Sequence, residues 1–214
     1  MTLHIDRRFS YPASPSTVVD MMADPEFQKR KAAASGALSH EVTVQPGPAP
    51  VVTVVRRMPV DHVPEMLRAL VKRGITIRET VRWRREAPDG SREGTVTLEI
   101  LGQPVTMRGT IRLTPAADRA DASAGTSTSG GTSSSGGTDS SGRVDSSGGA
   151  DTSGRADSSG GAKGTGRTDG HIEAEVKAAI PLLGGKVEKA VEPAILAGIK
   201  TEVETGQAYL AEHS

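Results

Sequence analysis

The sequence predicts an α+β domain in which seven antiparallel strands form one sheet and a long C-terminal helix covers its apolar face. Apolar and polar residues alternate in seven short segments, the pattern of strands with one buried and one exposed face. Short turns such as APDG at 87–90 join most of them, and such turns connect antiparallel neighbours. The stretch from Lys186 to about Ala211 carries an apolar stripe at helical spacing. As a helix it would span roughly 39 Å, enough to cross the sheet.

The first elements are a strand and two short helices. The strand is predicted over residues 3–11, with Arg7 falling on its apolar side. Each helix begins with a capping side chain followed by proline at the first helical position, at Ser14-Pro15 and at Asp24-Pro25. The second helix is expected to stop at Gly36.

Six more strands and two more helices follow. The strands are predicted over residues 38–45, 51–58, 75–84, 96–100, 105–113 and 171–180. Between the third and fourth strands, DHVPEMLRALVKRG at 61–74 has apolar residues at helical spacing, which predicts a short amphipathic helix. Pro193 lies inside the C-terminal helix, where we expect a kink or a local irregularity.

A segment of different composition interrupts this pattern of strands and helices before the last strand. From about Ala117 to Asp169 the chain is rich in Ser, Gly, Thr and Asp, and from Gly125 to Gly166 it repeats as hexads such as GTSSSG and GTDSSG. The segment has almost no apolar side chain to bury, so the entropy lost on ordering would not be offset. We therefore predict one domain, residues 1–116 plus 168–212, with a disordered insertion at 117–167.

Composition excludes several functional classes. Lys+Arg and Asp+Glu both number 26, and a net charge of zero argues against a general nucleic-acid binder. The absence of cysteine excludes a disulfide framework, a thiolate metal site and a cysteine nucleophile. No apolar run approaches the roughly 20 residues of a membrane span, and the N-terminus does not read as a signal peptide. We expect a cytoplasmic protein without stable membrane insertion.

Three stretches carry a family resemblance: FSYPASPSTVVDMMADPEF, VTMRGTIRLTP and KAAIPLLGGKVEKAVEPAI. The chain resembles the helix-grip fold of the START-like superfamily, which includes polyketide cyclases and the birch-pollen allergen. Within it the chain is similar to a mostly actinobacterial family, domain of unknown function 2505, over about 1–116 and 168–212. The resemblance implies a curved sheet wrapped on the long helix and an apolar cavity that often holds a lipid or other hydrophobic molecule. None of the stretches is a catalytic signature, and the family has no established activity.

Gly184 and Gly185 precede the last helix and admit two interpretations. A phosphate-binding loop needs spaced glycines after a parallel strand, usually followed by Lys-Ser/Thr, and GGKV lacks these features. We therefore interpret the pair as a corner where the chain turns from the last strand into the helix, with positive φ or close backbone approach. Leu182 and Leu183 are expected to plug the bottom of the cavity.

Few residues suggest chemistry. The five histidines lack metal-ligand spacing and no G-x-S-x-G elbow is present, so no metal, cofactor or catalytic residue is predicted. Asp61 reads as a helix cap, although it could act with His62 as an acid/base pair. His40 falls on the apolar side of its strand. Arg7 and Glu79 also fall on apolar-facing positions and are expected to pair inside the domain or at the cavity rim.

The leading hypothesis is a non-enzymatic binder or carrier of a small hydrophobic molecule, held between sheet and C-terminal helix. Met66, Leu67 and Leu70 would form a movable lid. The predicted cavity wall is Val42, Val54, Val81, Trp83, Leu98, Met107, Ile111, Val176, Val191 and Ile195.

Three alternatives remain open at this point. The apolar residues could form an ordinary filled core, because apolar faces usually pack solid. A cyclase or hydrolase could use the same cavity, with His40, Asp61 and Glu79 as its titratable groups. A ligand-free domain could instead bind another protein, which the sequence does not identify.

Overall fold

A computed structural model describes residues 2–59, 74–116, 166–180 and 184–213. All of them belong to one compact unit, Met1–Ala117 with Lys163–Ser214. The helix predicted over 61–74 lies outside the described residues except for Gly74. The insertion predicted over 117–167 lies outside them except for its last two residues. Both therefore stay predictions.

The described elements confirm the predicted α+β architecture. They are β1 (Leu3–Tyr11), α1 (Pro15–Ala23), α2 (Pro25–Ala34), β2 (Ser39–Gln45), β3 (Val51–Met58), β4 (Ile75–Trp83), β5 (Arg92–Ile100), β6 (Val105–Pro115), β7 (Thr168–Ala178) and α3 (Gly184–Glu212). The seven strands form one antiparallel sheet in the order β1-β7-β6-β5-β4-β3-β2. The first and last strands of the chain are therefore neighbours, with β1 and β2 at the two edges.

Both short helices begin as the sequence predicts. The Ser14 hydroxyl accepts a hydrogen bond from the Thr17 amide at 3.3 Å. Asp24 Oδ1 accepts one from the Glu26 amide at 2.8 Å. These bonds satisfy amides that have no partner inside a helix, and the proline that follows each cap has no N–H to satisfy.

Two strand glycines leave room for aromatic rings from the neighbouring strand. Gly170 of β7 lies opposite Phe9 of β1, and a Cβ at Gly170 would fall 2.0 Å from Phe9 Cε2. Gly94 of β5 lies opposite Trp83 of β4, where a Cβ would fall 2.8 Å from Trp83 Cε3. Each ring therefore lies across a backbone position that no larger residue could occupy without displacing it.

The long helix α3 is buried mainly near its two ends. Val187, Glu188 and Val191 are buried at one end, and Gly206, Tyr209 and Leu210 at the other. The apolar residues between these ends, Ile195, Leu196, Ile199 and Val203, are only partly buried. At its C-terminal end α3 lies close to β1, since a Cβ at Gly206 would lie 2.7 Å from Tyr11 Cε1. The helix continues through Pro193. Its middle therefore packs less densely on the sheet than its ends do.

Among the described helices, none combines the length and the apolar character needed to cross a membrane.

Candidate functional site: an apolar cavity with a charged side

A cavity of about 180 Å³ lies between the inner face of the sheet and the middle of α3. Its sheet wall comes from β1 and β3–β7, and α2 contributes one lining residue, Lys31. The apolar lining residues are Phe9, Ile75, Ile77, Val96, Leu98, Ile100, Val105, Met107, Ile111, Ile172, Val176, Ile180, Val187, Val191, Ala194, Ile195, Ile199 and Val203. Most of its surface is therefore aliphatic.

Small residues on α3 help to explain why space remains there. Ala194 and Gly198 lie on the helix face that lines the cavity, between the longer side chains of Val191, Ile195 and Glu202. A Cβ built on Gly198 meets no other atom within 4 Å. A helix face that presents alanine and glycine to the sheet leaves volume that larger residues would occupy.

The ten predicted wall residues do not all line one cavity. Six line the main cavity: Leu98, Met107, Ile111, Val176, Val191 and Ile195. Val54, Val81 and Trp83 line a second, smaller cavity, which Ile111 also borders. Val42 lines neither cavity; it is partly buried in the edge strand β2. Strand alternation identifies the inner face of the sheet, but not which part of that face the helix covers.

The predicted lid and plug lie outside the described residues. Met66, Leu67 and Leu70 fall in 60–73, and Leu182 and Leu183 fall in 181–183. Ile75 and Ile180, which follow and precede these segments closely in sequence, both line the main cavity.

The corner before α3 shows one of the two features expected of its glycines, which were a positive φ and a close backbone approach. A Cβ at Gly184 would fall 2.5 Å from the carbonyl oxygen of Ala178, so the backbone approach there requires glycine. Glu188, in the first turns of α3, accepts a hydrogen bond from the Ala178 amide at 3.1 Å. Positive φ is not used at Gly184; the described glycines that adopt it are Gly36, Gly47, Gly74, Gly90 and Gly102.

Four charged side chains meet on one side of the main cavity and are called the charge cluster below: Lys31 of α2, Arg56 of β3, Glu79 of β4 and Glu202 of α3. Lys31 Nζ donates to Glu79 Oε1 at 2.8 Å and also to Glu202 Oε2. Arg56 Nη2 lies 3.3 Å from Glu79 Oε2. The Lys31 side chain is 6% exposed and that of Glu202 is 22% exposed, so the cluster is most accessible at Glu202.

The electrostatics of the charge cluster favour the ionised forms of Lys31 and Glu79. Desolvation is the largest single influence on Glu79 and raises its pKa, but Lys31 and Arg56 together lower that pKa to about 2. Desolvation likewise opposes the charge on Lys31, yet the nearby Glu202 and Glu79 carboxylates raise its pKa overall. Neither group therefore titrates near neutral pH.

The expected pairing of Arg7 with Glu79 is wrong. Arg7 is exposed, and its Nη1 donates to the carbonyl oxygen of Asp6 at 2.8 Å. Glu79 pairs with Lys31 and Arg56 instead. The apolar-side position of Glu79 in its strand was a correct signal of burial, but alternation along one strand could not identify its partners.

His40 lies on the predicted face of its strand, opposite Arg56 of β3, but it is exposed because β2 is an edge strand. Asp61, which the enzymatic alternative also used, lies outside the described residues.

Sequence reasoning missed Lys31, Arg56 and Glu202, although the last two carry a positional signal. Arg56 lies two residues after the buried Val54, on the same face of β3. Glu202 follows Ile199 by three residues on the apolar stripe of α3. A search for charged residues at inward-facing positions of strands and helices would have selected these two.

Among the described residues, one polar group on the outer face of the sheet has ligand atoms close enough to hold a metal ion. Single ligand atoms of Asp6, His171 and Glu173 lie within 4.8 Å of one another, and His171 Nε2 lies 3.0 Å from Asp6 Oδ1. Both carboxylates are exposed. Arg8 and Arg112 lie directly opposite His171 on the two neighbouring strands. Two cations beside this group disfavour a metal ion there.

One of two similar solved structures supports the fold, and neither shows a function. A crystal structure of TTHA0849 from Thermus thermophilus is similar with a TM-score of 0.52 at 12% identity, and the match covers 99% of each chain. Mll3558 from Rhizobium loti matches at 12% identity over 96% of this chain and 97% of the other, with a TM-score of 0.44. No curated protein matches the sequence.

A family profile covers nearly the whole chain. It matches residues 6–135 and 126–210 and is described as "Protein of unknown function (DUF2505)". These matches extend over both sides of the cavity, from β1 to the C-terminal part of α3. The chain belongs to this family, DUF2505, and has the helix-grip arrangement of a seven-stranded antiparallel sheet with a long C-terminal helix.

Proposed function

We propose that this protein binds a small hydrophobic molecule in the main cavity and acts as a binder or carrier rather than an enzyme. The observation that carries this proposal is the aliphatic cavity of about 180 Å³ between the sheet and the middle of α3. The aliphatic part of such a cavity accepts apolar guests, because water gains too few hydrogen bonds against an apolar wall. An engineered cavity of about 150 Å³ in another protein binds benzene, so a ligand of the size of one aromatic ring fits here.

The charge cluster supports binding over catalysis. A general acid or base works best when its pKa lies near the working pH. The pKa of Glu79 is instead lowered to about 2, and that of Lys31 is raised. Both groups hold their charges at neutral pH, as expected of fixed electrostatic partners rather than proton carriers.

Filling the cavity from α3 tests the proposal. Gly198→Leu would place an aliphatic side chain in the cavity, whereas Ala197→Leu adds the same side chain at an exposed neighbouring position. Native mass spectrometry and solvent extraction of the three purified proteins should find a hydrophobic species on the wild type and on Ala197→Leu, but not on Gly198→Leu.

Two outcomes would overturn it. The first is a species retained equally by Gly198→Leu, which would locate binding elsewhere. The second is a wild type that carries nothing and shows no cavity-specific NMR shifts with benzene, toluene or naphthalene. That result would favour a ligand-free interaction domain.

A further inference from the structure

We infer that the ligand of this cavity is uncharged and carries a hydroxyl group, which binds at the charge cluster while its apolar body lies along α3. This inference rests on the proposed function and names the chemistry of its ligand. It follows from the placement, the charge balance and the free hydrogen-bonding positions of the cluster.

The charged contacts are confined to one side of the cavity, and the other polar lining residues, Gln103 and Thr106, are uncharged. Arg56 is the only lining residue that β3 contributes within the described chain, and Lys31 is the only one from α2. On the opposite side, β1 and β7 contribute Phe9, Ile172 and Val176. A ligand whose polar group pairs with charged side chains therefore has one preferred orientation, with that group toward β3 and α2.

Charge balance excludes an ionic ligand. The ionisable residues among the described lining are two cations, Lys31 and Arg56, and two carboxylates, Glu79 and Glu202. Lys31 contacts both carboxylates, and Arg56 contacts Glu79. The set is neutral overall and internally paired, so a carboxylate or ammonium group entering the cavity would lose its hydration without gaining a free counter-charge.

The hydrogen-bonding positions of the charge cluster that remain free favour a hydroxyl group on the ligand. Glu202 uses Oε2 for Lys31, and its Oε1 has no partner among the described residues, so it can accept a hydrogen bond. Lys31 Nζ has three protons, of which two are directed to carboxylates within the same part of the chain. A hydroxyl donates and accepts at once, so it can pair with Glu202 and Lys31 together. An ether or ketone only accepts and would leave Glu202 Oε1 unpaired.

Four probes of nearly equal size test this inference. They are 4-methylbenzyl alcohol, its isomer 4-methylanisole, 4-methylbenzoate and 4-methylbenzylammonium, titrated into the full chain at pH 7 by calorimetry and NMR. The alcohol should bind at least tenfold tighter than either ion and several-fold tighter than the anisole. Equal affinities for alcohol and anisole, or tighter binding of either ion, would overturn the inference while leaving cavity binding intact. Binding of none of the four, nor of benzene, would overturn the proposed function as well.

Two substitutions in the charge cluster should change the preference in opposite directions. Glu202→Gln gives the described lining a net charge of +1, so 4-methylbenzoate should gain at least tenfold relative to the alcohol. Arg56→Met gives a net charge of −1, so 4-methylbenzylammonium should gain instead. Glu204→Gln, on the same helix but exposed and paired with Lys200, is the matched control and should leave the order of the probes unchanged. If one variant does not fold, the other tests the same charge argument; an unchanged preference in a folded variant contradicts it.

Discussion

Lys31 Nζ donates a hydrogen bond to Glu79 Oε1 at 2.8 Å, and this contact joins α2 to the inner face of β4. Both side chains are largely removed from solvent, at 6% and 12% exposed. A buried pair costs desolvation energy when it forms, yet breaking it leaves one charge unpaired and is strongly unfavourable. Glu202 extends the same contact to α3, so a single lysine connects the sheet to two helices.

The first prediction concerns acid stability. Glu79 has a folded-state pKa of about 2, against an ordinary value of 4.5. A lowered pKa means that the ionised group stabilises the fold above about 4.5 and that this contribution is lost as pH falls toward 2. Glu79→Gln should lower the free energy of unfolding by roughly 3 kcal/mol at pH 7, measured by urea denaturation. The difference from wild type should shrink steadily between pH 4.5 and 2.

An exposed pair on the outer face of the sheet provides the control. Glu99 lies 3.7 Å from Arg78, with side chains 39% and 48% exposed. Glu99→Gln should change the free energy of unfolding by less than about 1 kcal/mol, because water screens such pairs. A Glu79→Gln protein as stable as Glu99→Gln would show that the charge cluster does not support the fold.

The local chemistry of single elements could be predicted from the sequence, but the contacts between elements could not. Ser14 and Asp24 identify their helix starts because capping depends only on neighbours along the chain. Strand alternation identified the inner face of the sheet for the same reason. The charge cluster joins α2, β3, β4 and α3, and only the sheet register and the path of α3 bring these elements together.

The second prediction concerns the end of α3. Tyr209 Oη donates to Asp24 Oδ2 at 2.6 Å, while Asp24 Oδ1 caps α2. Tyr209→Phe removes only the first bond and should cost about 1 kcal/mol in the free energy of unfolding, whereas Asp24→Ala removes both and should cost more. In a double-mutant cycle the two effects should not add. Additive effects would contradict the shared contact.

The same hydrogen bond should affect how the stability of the protein changes at alkaline pH. Hydrogen bonding to Asp24 is the main cause that raises the pKa of Tyr209 to about 12, from an ordinary value of 10.0. A raised pKa means that the protonated group stabilises the fold below about pH 10, and that this contribution is lost as pH rises toward 12. The stability difference between wild type and Tyr209→Phe should therefore disappear over that interval. A difference that persists at pH 12 would rule out the phenol proton as its source.

The third prediction contrasts two glycines. Gly170→Ala would bring a Cβ to 2.0 Å from the ring of Phe9, so it should lower the free energy of unfolding by about 1–3 kcal/mol. Gly198→Ala adds a Cβ with no atom within 4 Å and replaces a flexible residue inside a helix, so it should raise stability by up to about 1 kcal/mol. Thermal and urea unfolding of both variants measure the signs. If Gly170→Ala were the more stable of the two variants, the result would contradict either the packing of Phe9 across Gly170 or the open space at Gly198.

The fourth prediction concerns the connection between β6 and β7. The two strands pair to their ends, with Pro115 opposite Thr168, and the Ala116 amide donates to the Arg167 carbonyl at 2.8 Å. Because the chain leaves and re-enters the sheet at adjacent positions, a two-residue Asn-Gly turn in place of residues 117–166 should close the hairpin. The shortened chain should keep the wild-type circular dichroism spectrum and gain roughly 2 kcal/mol in the free energy of unfolding, since closing a shorter loop costs less entropy. A variant of wild-type length, in which a Gly/Ser linker replaces residues 117–166, controls for composition. Its free energy of unfolding should equal that of the wild type. If it instead unfolds more easily, the native segment itself contributes to the stability of the domain.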